Sequence, residues 1–193
     1  MFKNTHGSYG LISISLHWLI ALGVFTLFGL GLWMVGLTYY SPYYRSAPDL
    51  HRSLGVLVVG FMILRLVWKL YNPKVQPLTS HKTWEQRLAK LTHALMYLLV
   101  IGLGVSGYMI STASGQPLMV FNLLSIPAID FGIAYQEDIA GDLHEIIAWS
   151  LIGLVVIHVL GALKHHFIDR DATLKRMLSS NSTISSHHQE SLK

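Results

Sequence analysis

The sequence predicts an all-α integral membrane protein, a bundle of four transmembrane helices with both termini on the cytoplasmic side. Three observations carry that expectation. Apolar residues make up 52% of the 193-residue chain and charged residues only 12%, against roughly 25% charged in soluble domains. The apolar residues gather into four runs near the ~20 residues a bilayer core requires. The 14 Lys and Arg lie unevenly: between the runs they crowd the N-terminus, the 65–90 region and the segment after the last run, and only Arg45 and Arg52 lie elsewhere. By the positive-inside rule the crowded side is cytoplasmic.

The first run, residues 11–37, is too long and too weakly preceded by positive charge (Lys3 alone) for a signal peptide, and is read as a retained span. An aromatic stretch, Y-Y-S-P-Y-Y, follows with interfacial character, and the second span covers 52–70. A polar, proline-bearing link with several basic residues leads to a third span over 91–110. Residues 111–138 are interrupted by Gly115, Pro117, Pro127 and Asp130 and cannot span, though L-M-V-F-N-L-L is apolar enough to lie on the interface. The fourth span covers 139–163. Residues 1–178 form one domain with no internal repeat, and the Ser-rich tail 179–193 has a disordered composition.

No cysteine is present, which excludes disulfides, thiolate-bound iron–sulfur clusters and covalent haem attachment. A metal or cofactor must be held by nitrogen or oxygen, and histidine, with 11 copies, is the abundant ligand. The formal charge of +4 belongs to the inside-positive face, and no nucleic-acid partner is expected.

The fourth span organises the histidines. His144 and His158 are fourteen residues apart, nearly four helical turns, so they share one face with roughly 21 Å of rise between them. Ionisable groups within a membrane span are expensive and functional by default. His17 lies at the inner depth of His158, and His51 at the outer depth of His144. Paired neutral imidazoles across a bundle suit the axial positions of a b-type haem, and the inner pair lacks the carboxylates of a non-haem metal site. The same step of fourteen leads from His17 to Gly31, from His93 to Gly107 and from His51 to Arg65. The glycines leave room for a flat macrocycle, as do Gly55 and Gly161; the competing reading is close helix packing. Arg65, deep on the inner side, needs an anion such as a haem propionate; the competing reading is snorkelling to the interface. His93 also has the inner depth, either in place of His17 or as a hydrogen-bond donor to a propionate or quinone. His165 and His166 are placed at the interface, and His6, His81, His187 and His188 in solvent.

These motifs, S-I-S-L-H-W in the first span, H-R opening the second, L-T-H-A-L-M-Y in the third and H-E-x12-H followed by A-L-K-H-H in the fourth, resemble the bacterial cytochrome b561 family over residues 8–178. The resemblance implies a multi-pass protein of the bacterial cytoplasmic (inner) membrane with two haem b groups, the inner one bound by His17 and His158 and the outer by His51 and His144. It also implies electron transfer between a periplasmic small-molecule donor and ubiquinone. One member type is a superoxide oxidase, a superoxide:ubiquinone oxidoreductase; others are cytochrome b anchor subunits that relay electrons between a partner dehydrogenase and quinone. Arg45 and Arg52 are candidates for attracting an anionic donor, and His93, Lys164 and His165 for serving a quinone. A histidine-based transporter or proton channel without any cofactor is the reading from another class.

Overall fold

Four long helices account for most of the computed structural model, which describes residues 1–78 and 81–180. They are α1 (Leu11–Val35), α2 (Ser46–Tyr71), α3 (Thr83–Thr112) and α4 (Gln136–Phe167), each long and apolar enough to cross a membrane. The expected disorder of residues 179–193 concerns a tail that lies outside the described residues beyond 180.

The helices outrun the apolar spans because polar turns continue the backbone ladder past the bilayer. α2 begins at Ser46 rather than 52, α3 at Thr83 rather than 91, and α4 extends from Gln136 to Phe167. α3 has acidic Glu85 in its first turn, where its Oε2 accepts the Lys82 N–H; α4 has Glu137 and Asp138 in its first turn and Lys164, His165 and His166 in its last. Both placements complement the helix dipole. Gly10, at the start of α1, supplies no side-chain cap, so Asn4 reaches in: its Oδ1 accepts from the Gly10 N–H and the Ser13 hydroxyl.

α1 packs mainly on α2 and α3 on α4, with α2 joining the two pairs. Ile20, Val58, Met62, Val100, Leu151 and Val155 form the central apolar cluster. Two glycines set the closest approaches. A Cβ on Gly23 would fall 2.5 Å from Val58 Cγ2, and one on Gly104 would fall 2.8 Å from Val59 Cγ2, so these two positions do serve small-residue packing. α1 and α4 meet less closely, through Phe28 and Trp149, whose rings stand edge to face with centroids 5.0 Å apart. Large apolar side chains on every helix remain exposed, as lipid contact demands.

The all-helical expectation omits one feature. Part of the L-M-V-F-N-L-L stretch forms an antiparallel hairpin, β1 (Leu118–Val120) and β2 (Leu124–Ile126). Its turn holds Phe121 and Asn122 at φ 50° and 56°, left-handed values that asparagine tolerates and phenylalanine rarely adopts. Tertiary contacts compensate. Leu118 and Val120 are buried, and the Phe121 N–H donates to Ser53 Oγ on α2. Ser53 is two residues beyond His51, so the hairpin closes over the end of α2 that carries that histidine.

A short helix, α5 (Lys175–Leu178), ends the described chain after a segment that folds back beneath the bundle. Trp18 Nε1 donates to the Met177 carbonyl, and the buried Arg176 guanidinium donates to the Gln76 carbonyl.

Candidate haem-binding centres

Helix geometry delivers the two histidine pairs. The His17 and His158 rings face each other across α1 and α4 with centroids 6.3 Å apart, and the His51 and His144 rings across α2 and α4 with centroids 6.2 Å apart. The fourteen-residue step in α4 places the two pairs roughly 21 Å apart along its axis. One pair therefore lies toward the face that carries the termini, the other toward the hairpin; they are named the inner and the outer pair after the orientation expected from the charge distribution.

Those separations test whether an iron fits. A bond from an imidazole nitrogen to a first-row metal is about 2.0–2.1 Å, and the ring centroid lies about 1.1 Å beyond the nitrogen, so coaxial ligands stand about 6.2–6.4 Å apart centre to centre. Both pairs meet that value before any adjustment. His93 also approaches His158, but at 5.1 Å, too close for an iron between coaxial rings. Its Nδ1 donates to the Ala89 carbonyl at 2.7 Å, which leaves Nε2 available as a hydrogen-bonding group.

At the outer pair the tautomer of His144 is determined by its neighbour. The Ser106 hydroxyl spends its proton on the Gly102 carbonyl at 2.8 Å, so its oxygen accepts from His144 Nδ1 at 2.9 Å. A protonated Nδ1 leaves the Nε2 lone pair free to ligate, the usual arrangement behind a metal-bound histidine. Ser106 is 1% exposed. Sequence reasoning passed over it: thirteen residues after His93 it is turned about 140° away from that histidine on α3, so the step of fourteen that marks Gly107 does not reach it. His51 Nδ1 is buried with no hydrogen-bond partner, an orphaned polar atom in a site otherwise built for ligation.

The glycines reached by the same step line this outer pair. A Cβ on Gly31 would stand 3.4 Å from His51 Cε1, and one on Gly107 would stand 3.3 Å from His144 Cε1. Gly55 and Gly161 have open space where a side chain would lie. The absence of a side chain at Gly31 and Gly107 thus lets the His51 and His144 rings lie close against α1 and α3.

Arg65 is partly buried and lies within electrostatic reach of His17, His93 and His158. Among the described residues it forms no ion pair or hydrogen bond. A guanidinium so placed is available to an anionic group at the inner pair.

The remaining candidates divide. Arg52 pairs with Asp49, whereas Arg45 is exposed with no acid partner among the described residues; both line an open depression with Met34, Tyr44 and Pro48. Lys164 is engaged, its Nζ 2.7 Å from Glu85 Oε1 and 2.8 Å from Asp169 Oδ2. His6 is exposed as expected, and His187 and His188 lie outside the described residues. His81 departs from the expectation of solvent. It is half-buried, with Nε2 2.8 Å from Asp171 Oδ2 and its ring stacked on His165 at 4.3 Å. The cause is the fold-back after α4, which brings an acidic turn against the link before α3. His165, expected at the interface, is drawn into the same cluster.

Comparison with known proteins agrees with this geometry. Residues 8–180 match the family model described as prokaryotic cytochrome b561. The chain is 46% identical over 182 residues to "Cytochrome b561 homolog 2" of Escherichia coli (strain K12), covering 94% of this chain and 97% of that one. It is 27% identical over 175 residues to "Probable superoxide oxidase CybB" of Yersinia pestis, covering 90% and 97%. It is 27% identical over 139 residues to "Cytochrome b561 homolog 1" of Escherichia coli (strain K12), covering 70% and 76%. A match that runs through all four helices and both facing histidine pairs leaves one conclusion: the chain belongs to the prokaryotic cytochrome b561 family.

Proposed function

We propose that this multi-pass membrane cytochrome carries electrons through two haem b groups, from superoxide at the periplasmic face to ubiquinone near the cytoplasmic face of the bacterial inner membrane. Membrane electron transfer is the family's business; the donor, acceptor and sidedness are our reading. The observation that carries it is the pair of imidazole gaps, 6.3 and 6.2 Å, at two depths of one helix.

His17 and His158 would hold the inner haem, and His51 and His144 the outer. When bound, the haems supply the one-electron redox chemistry that no amino acid of this cysteine-free chain provides. The protein's own residues do the rest. Ser106 orients His144 and raises its basicity. Gly31 and Gly107 keep the ring faces clear, Arg65 offers a counter-charge to a propionate at the inner pair, and the hairpin covers the outer end of α2. His93, whose proton is held on Nδ1 by the Ala89 carbonyl, presents Nε2 beside the inner pair as a hydrogen-bond acceptor, suited to the hydroxyl of a reduced quinone. Lys164 and His165, the other quinone-side candidates, are already committed to acidic partners.

Superoxide as donor rests on the relative named for that activity and on Arg45, an exposed cation at the head of α2. Asp130, Glu137 and Asp138 line a separate depression on the connection between α3 and α4, so attraction of an anion is local to Arg45 rather than a long-range field. The test is direct. The purified protein should contain two haems per chain by pyridine haemochrome, be reduced by enzymatically generated superoxide, and pass electrons to added ubiquinone. Haems that remain oxidised under a superoxide flux would remove superoxide as donor. Stable co-purification with a cofactor-bearing dehydrogenase that reduces them would then establish the anchor-subunit role.

A further inference from the structure

The end of α4 carries a second group of ligating side chains, separate from the paired histidines. α4 closes in a tight turn: the Ile168 and Asp169 N–H groups donate to the Lys164 carbonyl, and the Asp171 N–H donates to the His165 carbonyl at 3.0 Å. Arg170, at φ 54°, supplies the left-handed step. The turn folds Asp169 and Asp171 back onto His165, and the link before α3 contributes His81 from the other side.

The donor atoms converge. His81 Nε2 lies 2.8 Å from Asp171 Oδ2, and His165 Nδ1 lies 3.5 Å from the same oxygen. Together these three ligand atoms lie within 4.8 Å of one another. In a tetrahedral site with bonds of about 2.0–2.1 Å, neighbouring ligand atoms stand about 3.3–3.4 Å apart; the His165–Asp171 pair is already near that spacing, the His81–Asp171 pair would open by about 0.5 Å, and the two imidazole nitrogens would adjust from a separation of no more than 4.8 Å. Asp171 is 7% exposed at its side chain and both imidazoles 16%. His165 Nδ1 is buried without an aligned hydrogen bond although it stands 2.7 Å from Asp169 Oδ2.

Supporting contacts surround the three. The Thr173 N–H donates to Asp171 Oδ1 at 2.8 Å, which orients the carboxylate. Burial works against ionisation of Asp171, but the hydrogen bonds from Thr173 and His81 outweigh it and hold its carboxyl below the usual range. The Lys164 ammonium holds Asp169 below that range as well, and keeps that carboxylate engaged at the edge of the cluster. Two imidazoles and one ionised carboxylate, with a fourth position open to water, form a borderline-soft donor set.

We propose that His81, His165 and Asp171 form a binding site for a divalent first-row transition-metal ion of the Zn2+ type, which clamps the link before α3 to the end of α4. The site lies about two turns beyond His158 on α4, so an occupied clamp stiffens the approach to the inner histidine pair.

The experiment uses the full haem-loaded chain, so that the paired histidines are occupied, with His187→Gln and His188→Gln to remove the tail's own ligands. Zn2+ is titrated against a competing chelator dye, and the loaded protein is examined by zinc-edge X-ray absorption. One Zn2+ per chain is expected, with two imidazoles in its shell and no sulfur. His81→Gln and Asp171→Asn should each weaken binding at least tenfold, and His81→Gln should leave one imidazole in the shell. Absence of saturable binding in the tail-substituted chain, or unchanged affinity in both variants, would overturn the proposal. If a variant loses its haems through misfolding, the absorption spectrum of the otherwise unaltered protein decides: fewer than two imidazoles at zinc refutes the site.

Discussion

Ser106→Ala removes a side-chain hydrogen bond that ties α3 to a proposed iron ligand. The substitution removes the acceptor 2.9 Å from His144 Nδ1 and adds no volume. A net hydrogen bond is lost and a buried N–H is left unpaired, the latter costing about 1–3 kcal/mol. Removing such an outer partner typically weakens metal binding about 10–100-fold, and outer-haem affinity should fall in that range. The potential should also move. An imidazole that no longer donates from Nδ1 is a poorer base and stabilises the ferric state less, so the outer midpoint should rise. A differential of about 0.5–1.5 kcal/mol between oxidation states corresponds to a rise of roughly 20–60 mV for one electron. The inner midpoint should stay in place, with roughly 21 Å of helix between the pairs. Redox titration followed in the visible α bands, with haem content from pyridine haemochrome, measures both effects. Ser111→Ala is the control, since among the described residues that hydroxyl bonds only the Gly107 carbonyl of its own helix. Unaltered content and unaltered midpoints in Ser106→Ala would refute the inference that this serine orients a ligand.

Further outcomes follow from the same geometry. His144→Ala and His158→Ala should each remove a different haem, outer and inner respectively; a variant with both haems and unchanged low-spin spectra would break the pairing scheme. Gly107→Val should cost the outer haem specifically, because its Cβ alone comes within 3.3 Å of His144 Cε1 and the added methyls press on the ring; one-haem spectra report it. Arg65→Leu should lower the inner midpoint by tens of millivolts, since a nearby positive charge favours the electron-rich reduced state, and Arg65→Lys should recover part of the shift; equal midpoints with full haem content would leave Arg65 as a membrane anchor. Gly23→Leu should destabilise the bundle by about 1–3 kcal/mol through overpacking against Val58, read as a lower temperature of haem release in detergent.

What the sequence determined by itself is whatever depends on one helix at a time. Apolar runs separated by polar links specify four spans because the bilayer demands a length and a composition, not a particular neighbour. Helical periodicity is equally local, so the step of fourteen could assign His144 and His158 to one face and mark Gly31 and Gly107 before any packing was known. Tertiary structure decided everything that needs two elements. Only the seating of α1 and α2 against α4 establishes gaps of 6.3 and 6.2 Å, and it is that spacing, against 5.1 Å for His93, on which the proposal of His17 as the inner ligand rests. Gly23 and Gly104 look like Gly31 in sequence, yet they pack against valines while Gly31 faces an imidazole. Ser106 is one small residue among many until α4 brings His144 beside it. The cluster of His81 with His165 and Asp171 lay outside local reasoning for the same reason. A histidine in a polar link reads as solvated, and only the fold-back of the chain after α4, 90 residues further on, removes it from water and surrounds it with ligands.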